Sequence, residues 1–387
     1  MLKTNKNELP NNFTTVTLST GKTLDVLNSA VIYGANASGK SNLVLALTTM
    51  LTIVGSSFNY KQNESIPGVE SFAFTSNGVS EFEIDFINDK GVRFVYGFSA
   101  TQEKFIDEWL YQYPKGRPQI LISRDNTSTW GEMNALKGSK KLLKDSTKEV
   151  SLFLSTAYQF NNEQLSSVLQ DIFTLKTTIV DFQDPHFTIA QVEENNKKQS
   201  VLDFLNNADI GIEDIIIESH EVNVDNVPEM ARMIVEVDGI QQKPKYIETK
   251  IHIVHTDGIR FDLHQESSGT QKLFFLIGVW LDVIEKGYTL ILDELQNSLH
   301  PKLVEHLITM FHDSKVNNKG AQLIFVTHET SLLSQEIFRR DQVWFCEKEN
   351  NATELFSLAD FSVRKGAENV EKFYLSGRYG AVPYLRS

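Results

Sequence analysis

Eight consecutive residues, Gly34-Ala35-Asn36-Ala37-Ser38-Gly39-Lys40-Ser41, follow the pattern glycine, four residues, glycine, lysine, serine. Glycines let a backbone wind closely around a phosphate with its N–H groups pointing inward, and a helix starting there adds the positive end of its dipole. At the end of the pattern Lys40 would neutralise β- and γ-phosphates, and the Ser41 hydroxyl would ligate magnesium. A second group, Asp293 and Glu294, closes the apolar run Tyr288 to Leu292. Successive strand side chains face opposite ways, so Asp293 can hold the metal shell while Glu294 polarises an attacking water. An acidic pair at a strand end is commonplace alone; joined to a phosphate loop, it points to phosphoryl transfer to water.

Two further segments fit the same chemistry. Glu266-Ser267-Ser268-Gly269-Thr270-Gln271 stands immediately before an apolar helix, where a serine hydroxyl, backbone N–H groups and the helix dipole can all face a phosphate. Read singly, Ser267 or Ser268 is a helix N-cap. Leu323-Ile324-Phe325-Val326-Thr327 is a buried strand ending in His328, an imidazole able to donate a hydrogen bond at neutral pH.

The elements that must position these groups are legible in the apolar pattern. Ala30 to Tyr33 reads as a buried strand before the loop, and Leu43, Ala46, Leu47, Met50, Leu51 and Val54 recur at helical spacing after it. Alternation through Glu81–Phe86 and Arg93–Phe98, with a turn at Asn88 to Gly91, predicts an antiparallel meander. Residues 124–207 are more polar, with Lys137, Lys140, Lys141 and Lys144, and read as a helical insertion with long helices near 160–176 and 189–207. Strands are expected at Ile215–Val222, Met233–Val237 and Ile251–Val254, then a helix over Leu273–Ile284, hydrophobic on all sides, and strands at Tyr288–Leu292 and Gln322–Thr327. Three stretches follow: 1–123 with the loop and meander, 124–207 the insertion, and 208–387 with the remaining motifs.

Four motifs in this order resemble the ABC-type ATPases of the structural-maintenance, RecF and OLD group. The wording Tyr33 to Ser41, Asp293 to Pro301 and Gly377 to Pro383 is similar to the bacterial AAA-15/AAA-21 ATPases, including RloA-like and abortive-infection proteins and the ATPase subunit of the PARIS anti-phage system. The resemblance implies an α/β fold, an ABC-type phosphate-loop core with an antiparallel β-subdomain and a helical insertion. It also implies binding of ATP and Mg2+, hydrolysis to ADP and phosphate, and nucleotide sandwiched between two copies of the chain. Ser267, Ser268 and Gly269 would then contact the ATP held by residues 34–41 of the other copy, His328 would report the γ-phosphate, and Gln296 to Pro301 would be the D-loop. Glu266 and Thr270 depart from the usual leucine and glutamine or glutamate of the signature. The Q-loop glutamine has two candidates, Gln62 and Gln102. About thirty residues precede Gly34, so either the family's leading adenine-side strands are expected to be shortened or the start to be misplaced. About sixty follow His328, fewer than a Toprim nuclease needs, so the effector is expected on another chain. The expected role is an anti-phage switch controlling a nuclease-like partner, with a phage component or DNA as trigger; a DNA-clamping repair or chromosome-maintenance ATPase is the alternative.

Composition bounds rather than identifies. With 41% apolar and 22% charged residues, the 387-residue chain is that of an ordinary globular protein of about two lobes. The net charge of −13 argues against general electrostatic attraction to nucleic acid. The single cysteine, Cys346, excludes an internal disulfide and suits a reducing compartment, and the cytoplasm is expected. Residues 1–10 lack a secretory signal, and no run reaches the roughly 18 apolar residues of a membrane span.

Overall fold

The computed structural model describes residues 8–72, 78–178, 185–194, 197–208, 211–222, 246–256, 258–363 and 369–383. Two compact units divide the chain: Met1–Val180, Val283–Asn297 and Val304–Ser387 form one, and Asp181–Asp282 with Ser298–Leu303 the other.

The first unit opens with a short antiparallel pair, β1 (Phe13–Thr17) and β2 (Thr23–Leu27), as expected before the loop. Every residue of β3 (Ser29–Gly34) is buried, and α1 (Lys40–Ser56) follows the loop. An antiparallel sheet comes next, in the order β4 (Ser80–Ile87), β5 (Arg93–Ala100), β6 (Phe105–Gln112), β7 (Gln119–Asp125) and β8 (Thr129–Trp130). The β4–β5 turn is set where predicted: Asn88 Oδ1 accepts from the N–H groups of Lys90 at 3.1 Å and Val92 at 3.0 Å, and Gly91 takes a φ of 71°. Helices α2 (Lys140–Ser146), α3 (Phe153–Gln159) and α4 (Glu163–Ile172) complete this part. Asn162 caps α4 by accepting from Leu165 N–H at 3.1 Å, and Leu165, Val168, Leu169 and Ile172 bury one face of it. That face, α1 and the sheet share a core that includes Met50, Ile53, Tyr96, Phe98, Leu110 and Phe153. Each large apolar side chain buried there contributes about 1.5–3 kcal/mol.

The helix expected near 160–176 stops at Ile172, and Leu175–Thr178 forms a strand, β9. The β-branched Thr177 and Thr178 favour extended backbone, and a parallel neighbour is there to pair with.

In the second unit the expected helix over 189–207 is two helices, α5 (His186–Glu193) and α6 (Lys198–Asn207). They accompany a three-stranded antiparallel sheet of β10 (Ile212–Val222), β11 (Tyr246–His255) and β12 (Arg260–Asp262). The strand expected at Met233–Val237 lies outside the described residues. Helix α7 (Ser268–Lys286) leads back into the first unit. Its Gly278 is obligatory: a Cβ there would lie 2.5 Å from Thr188 Cα, and Thr188 Oγ1 accepts from Gly278 N–H at 3.0 Å while donating to Phe274 O at 2.6 Å.

The chain then returns through β13 (Thr289–Leu292), α8 (Pro301–His312), β14 (Gln322–Val326), β15 (Val343–Glu349), β16 (Ala352–Ser357) and α9 (Val370–Leu375). The central sheet has the order β16-β15-β3-β14-β13-β9, parallel throughout except for β16. The fold is thus mixed α/β, with a separate antiparallel sheet. Tyr374 and Tyr379 are core residues, their rings stacked on Phe345 at 5.3 and 5.7 Å between centroids.

By length and composition alone one described helical stretch, Lys40–Asn59, is long and apolar enough to cross a membrane. Its Val44, Met50, Ile53 and Val54 are buried within the protein, and it begins at the phosphate loop.

Beneath the central sheet, at the starts of its strands, a buried polar cluster joins late and early segments. Ser29 Oγ lies 2.8 Å from His312 Nε2 and accepts from Gln342 Nε2 at 2.7 Å, and Asn12 donates to Gln342 Oε1 at 2.7 Å. Burial lowers the His312 pKa from 6.5 to about 3. The unfolded chain therefore binds a proton that the folded chain refuses between those two values. Stability should be complete above about pH 6.5 and fall as the pH drops toward 3, by several kcal/mol in total. Denaturant titrations across that window, compared with His312→Gln, should show a shallower acid slope in the variant.

Candidate active site

Residues 34–41 bridge the end of β3 and the start of α1 through a backbone that few side chains allow. Gly39 has a φ of 103°, and a Cβ on it would meet Thr353 Oγ1 at 2.2 Å. A Cβ on Gly34 would meet the carbonyl oxygen of Cys346 at 2.3 Å. Ala37 takes the left-handed region with a φ of 61°. The β15–β16 hairpin braces the loop from outside: Thr353 Oγ1 donates to Ser38 O at 2.9 Å, and Cys346 Sγ approaches the same oxygen at 3.4 Å. The sequence marks Cys346 only as the single cysteine and Thr353 not at all, since nothing local marks a residue that acts by touching a loop more than three hundred positions earlier.

The Lys40 side chain is buried and curls back over its own loop, donating to Gly34 O at 2.9 Å and Ala35 O at 2.8 Å. An ammonium has three donors, so the third is left for a phosphate oxygen. Desolvation lowers the Lys40 pKa, opposed by Cys346, Asp293 and Glu294. Ser41 and Asn36 are exposed, while Ser38 Oγ is buried without a hydrogen-bond partner.

Asp293 and Glu294 follow the end of β13, which pairs in register with β14, itself paired with β3. Asp293 Oδ1 is buried and has no hydrogen-bond partner. A buried carboxylate oxygen without a donor is costly unless a cation completes it, so the residues present fit a magnesium–nucleotide, with Ser41 and Asp293 as the holding side chains. Glu294 adopts a φ of 50°, a conformation found in few non-glycine residues, and its carboxylate accepts from Asn297 Nδ2.

His328 sits exposed at the mouth of the site. Desolvation by the surrounding wall lowers its pKa and Lys40 pushes the same way, against Glu294 and Asp293. Lys40, Asp293, Glu294 and His328 thus lie within one another's fields. Thr327, fully buried, ties the strand ends together: its N–H donates to Ile32 O at 3.2 Å, its Oγ1 donates to Gln296 Oε1 at 2.8 Å and accepts from Glu329 N–H at 3.0 Å. The candidate glutamines Gln62 and Gln102 are both exposed, and Gln102 O accepts from Ile66 N–H at 2.7 Å.

Residues 266–271 belong to the second unit. Ser267 Oγ accepts from Thr270 N–H at 3.1 Å, the helix-cap geometry, and Ser267 and Ser268 are exposed at the start of α7. Gly269 is pressed against the D-loop, where a Cβ would meet Ser298 O at 2.8 Å and Ser298 has a φ of 62°. Gly269 and Ser298, both in the second unit, therefore lie in close backbone contact.

Residues 29–334 match the AAA_21 family, described as "AAA domain, putative AbiEii toxin, Type IV TA system". The chain belongs to this family. No curated protein matches it. Among solved structures, similarity extends to an Smc head bound to the C-terminal winged-helix domain of ScpA, at 13% identity over 89% of this chain and 96% of that one, with a TM-score of 0.44. The SMC head domain from Thermotoga maritima is also similar, at 14% identity over 91% of this chain and 98% of that one, with a TM-score of 0.40.

Removing the Lys40 ammonium takes away a charge-assisted contact worth roughly 1.5–3 kcal/mol per hydrogen bond. Lys40→Ala should weaken ATP binding by about a hundredfold or more, measured by calorimetry with magnesium present. Gly39→Ala should also weaken binding, because the added methyl must displace Thr353.

Proposed function

We propose that this chain is an ATP-hydrolysing switch in which nucleotide is closed between two copies. The observation that supports it best is the common sheet edge carrying the 34–41 loop, the orphaned Asp293 oxygen, Glu294 and His328. In that reading the loop N–H groups and Lys40 bind the β- and γ-phosphates of ATP, and Ser41 and Asp293 hold Mg2+. When bound, the ion neutralises charge on the β- and γ-phosphate oxygens. Glu294 orients the attacking water and accepts its proton as the bond from the γ-phosphorus to the bridging oxygen breaks. His328, kept neutral by its lowered pKa, donates one ring N–H to the γ-phosphate. Ser267, Ser268 and Gly269 of a second copy supply hydroxyl, N–H and helix-dipole contacts to the same γ-phosphate.

The family's description names a toxin and a toxin–antitoxin system, which suits an abortive-infection role in the cytoplasm. Phosphoryl transfer is the one chemistry the assigned residues perform, so the toxic step belongs to a separate, nuclease-like effector that the ATP state holds or releases. Expression of this chain alone, then with the neighbouring gene, separates the two. Growth arrest or nucleic-acid cleavage by the purified chain alone, lost on changes outside the ATP site, would overturn the assignment.

Glu294→Gln should retain ATP and slow turnover at least about a hundredfold, because an amide accepts no proton. Light scattering should show ATP driving this variant into a dimer, since ligand that completes an interface is linked to association. Ser267→Arg should keep nucleotide and lose turnover. Full turnover by a chain that stays monomeric would sink the sandwich.

A further inference from the structure

We propose that His255 is a positioning residue for the signature segment, acting through Glu266; this rests on the two-copy ATP reading above. His255 Nε2 lies 2.7 Å from Glu266 Oε1, with only 10% of the Glu266 side chain and 26% of the His255 side chain exposed. Glu266 directly precedes Ser267, whose hydroxyl caps α7. A carboxylate here faces a problem that an uncharged side chain would not. When a second copy presents its triphosphate to Ser267, a mobile anion one residue away repels it.

The local structure immobilises that anion on the side of the β-sheet. Glu266 is fixed at three points: its carboxylate by His255, its carbonyl by Gln271 Nε2 at 2.7 Å, and its N–H by Leu263 O at 3.1 Å. His255 is itself held at the end of β11, its N–H donating to Ile259 O at 2.9 Å and its ring set edge-on to Phe261 at 5.6 Å between centroids. Ser267 and Thr270 then pair their hydroxyls at 2.9 Å over the first turn of α7. Histidine thus permits glutamate at this position by directing its charge away from the incoming phosphate. Losing the imidazole frees the carboxylate to turn toward it.

The test uses the full chain. His255→Ala should lower kcat about tenfold, the scale of a modest misplacement of a contacting group, while ATP affinity of dilute monomer, read with a fluorescent ATP analogue, stays within about twofold because residues 34–41 are untouched. His255→Gln, which restores a side-chain N–H donor, should recover most of the rate and serves if His255→Ala melts early. Adding Glu266→Ala to His255→Ala should also recover rate, since the freed charge is gone, giving strong non-additivity. Mixing His255→Ala with Glu294→Gln protein should restore turnover, because one site of the mixed dimer pairs an intact Glu294 with an intact signature; mixing Ser267→Arg with Glu294→Gln is the control. Rescue of the control without rescue of His255→Ala overturns the positioning role and leaves the two-copy reading intact. An unrescued or fully active Ser267→Arg brings down both, and wild-type kcat in His255→Ala brings down the proposal alone.

Discussion

The parallel register of β3, β14 and β13 is the constraint on which the site depends. Val326 pairs with Ile32, and Leu292 with Phe325, so β13 and β14 end one residue apart and β3 runs two residues past β14. Each then releases its functional group at the same edge: the phosphate loop after Gly34, the carboxylates after Leu292, and His328 after Thr327. A slip of one residue in any pair would turn every side chain of the slipped strand to the opposite face. Thr327 secures the alignment where strand pairing ends, bonding to backbone on one side and to the start of the D-loop on the other.

Electrostatics at that edge run against the protein as a whole. A chain of net charge −13 repels a polyanion at long range, so binding must come from short-range donors that are already aimed. Lys40 is held in place by carbonyls of the loop it serves, which lessens the side-chain entropy lost when phosphate arrives. The Asp293 oxygen without a partner and the left-handed Glu294 are local costs in the folded chain, of the sort that concentrates where ligands complete a structure.

The phosphate loop, the carboxylate strand and the histidine strand were legible in sequence because each couples a local chemical pattern to an apolar run. The meander was legible through alternation and the turn at Asn88. Length was harder to read: α4 ends at Ile172, and Leu175–Thr178 joins the central sheet because β13 lies beside it, a fact four residues cannot announce. Cys346 and Thr353, within β15 and β16, and Thr327, just past β14, look ordinary in sequence until the register brings the first two to the loop and the third between neighbouring strand ends. Nothing local marks Tyr374 and Tyr379 as core residues either, yet their rings fill space against Phe345.

The position of β3 in the sheet has a consequence for biosynthesis. The two partners of this fully buried strand, β14 and β15, follow it by about three hundred positions. While the ribosome is still working, Ser29–Gly34 has no native neighbour on either side, and the loop behind it lacks the brace of Cys346 and Thr353. Contacts of such separation form slowly and leave apolar strand edges open to wrong pairing meanwhile. The 34–41 loop therefore takes its shape only once β14 to β16 have been made, and a chain terminated before them holds neither a finished central sheet nor a braced loop.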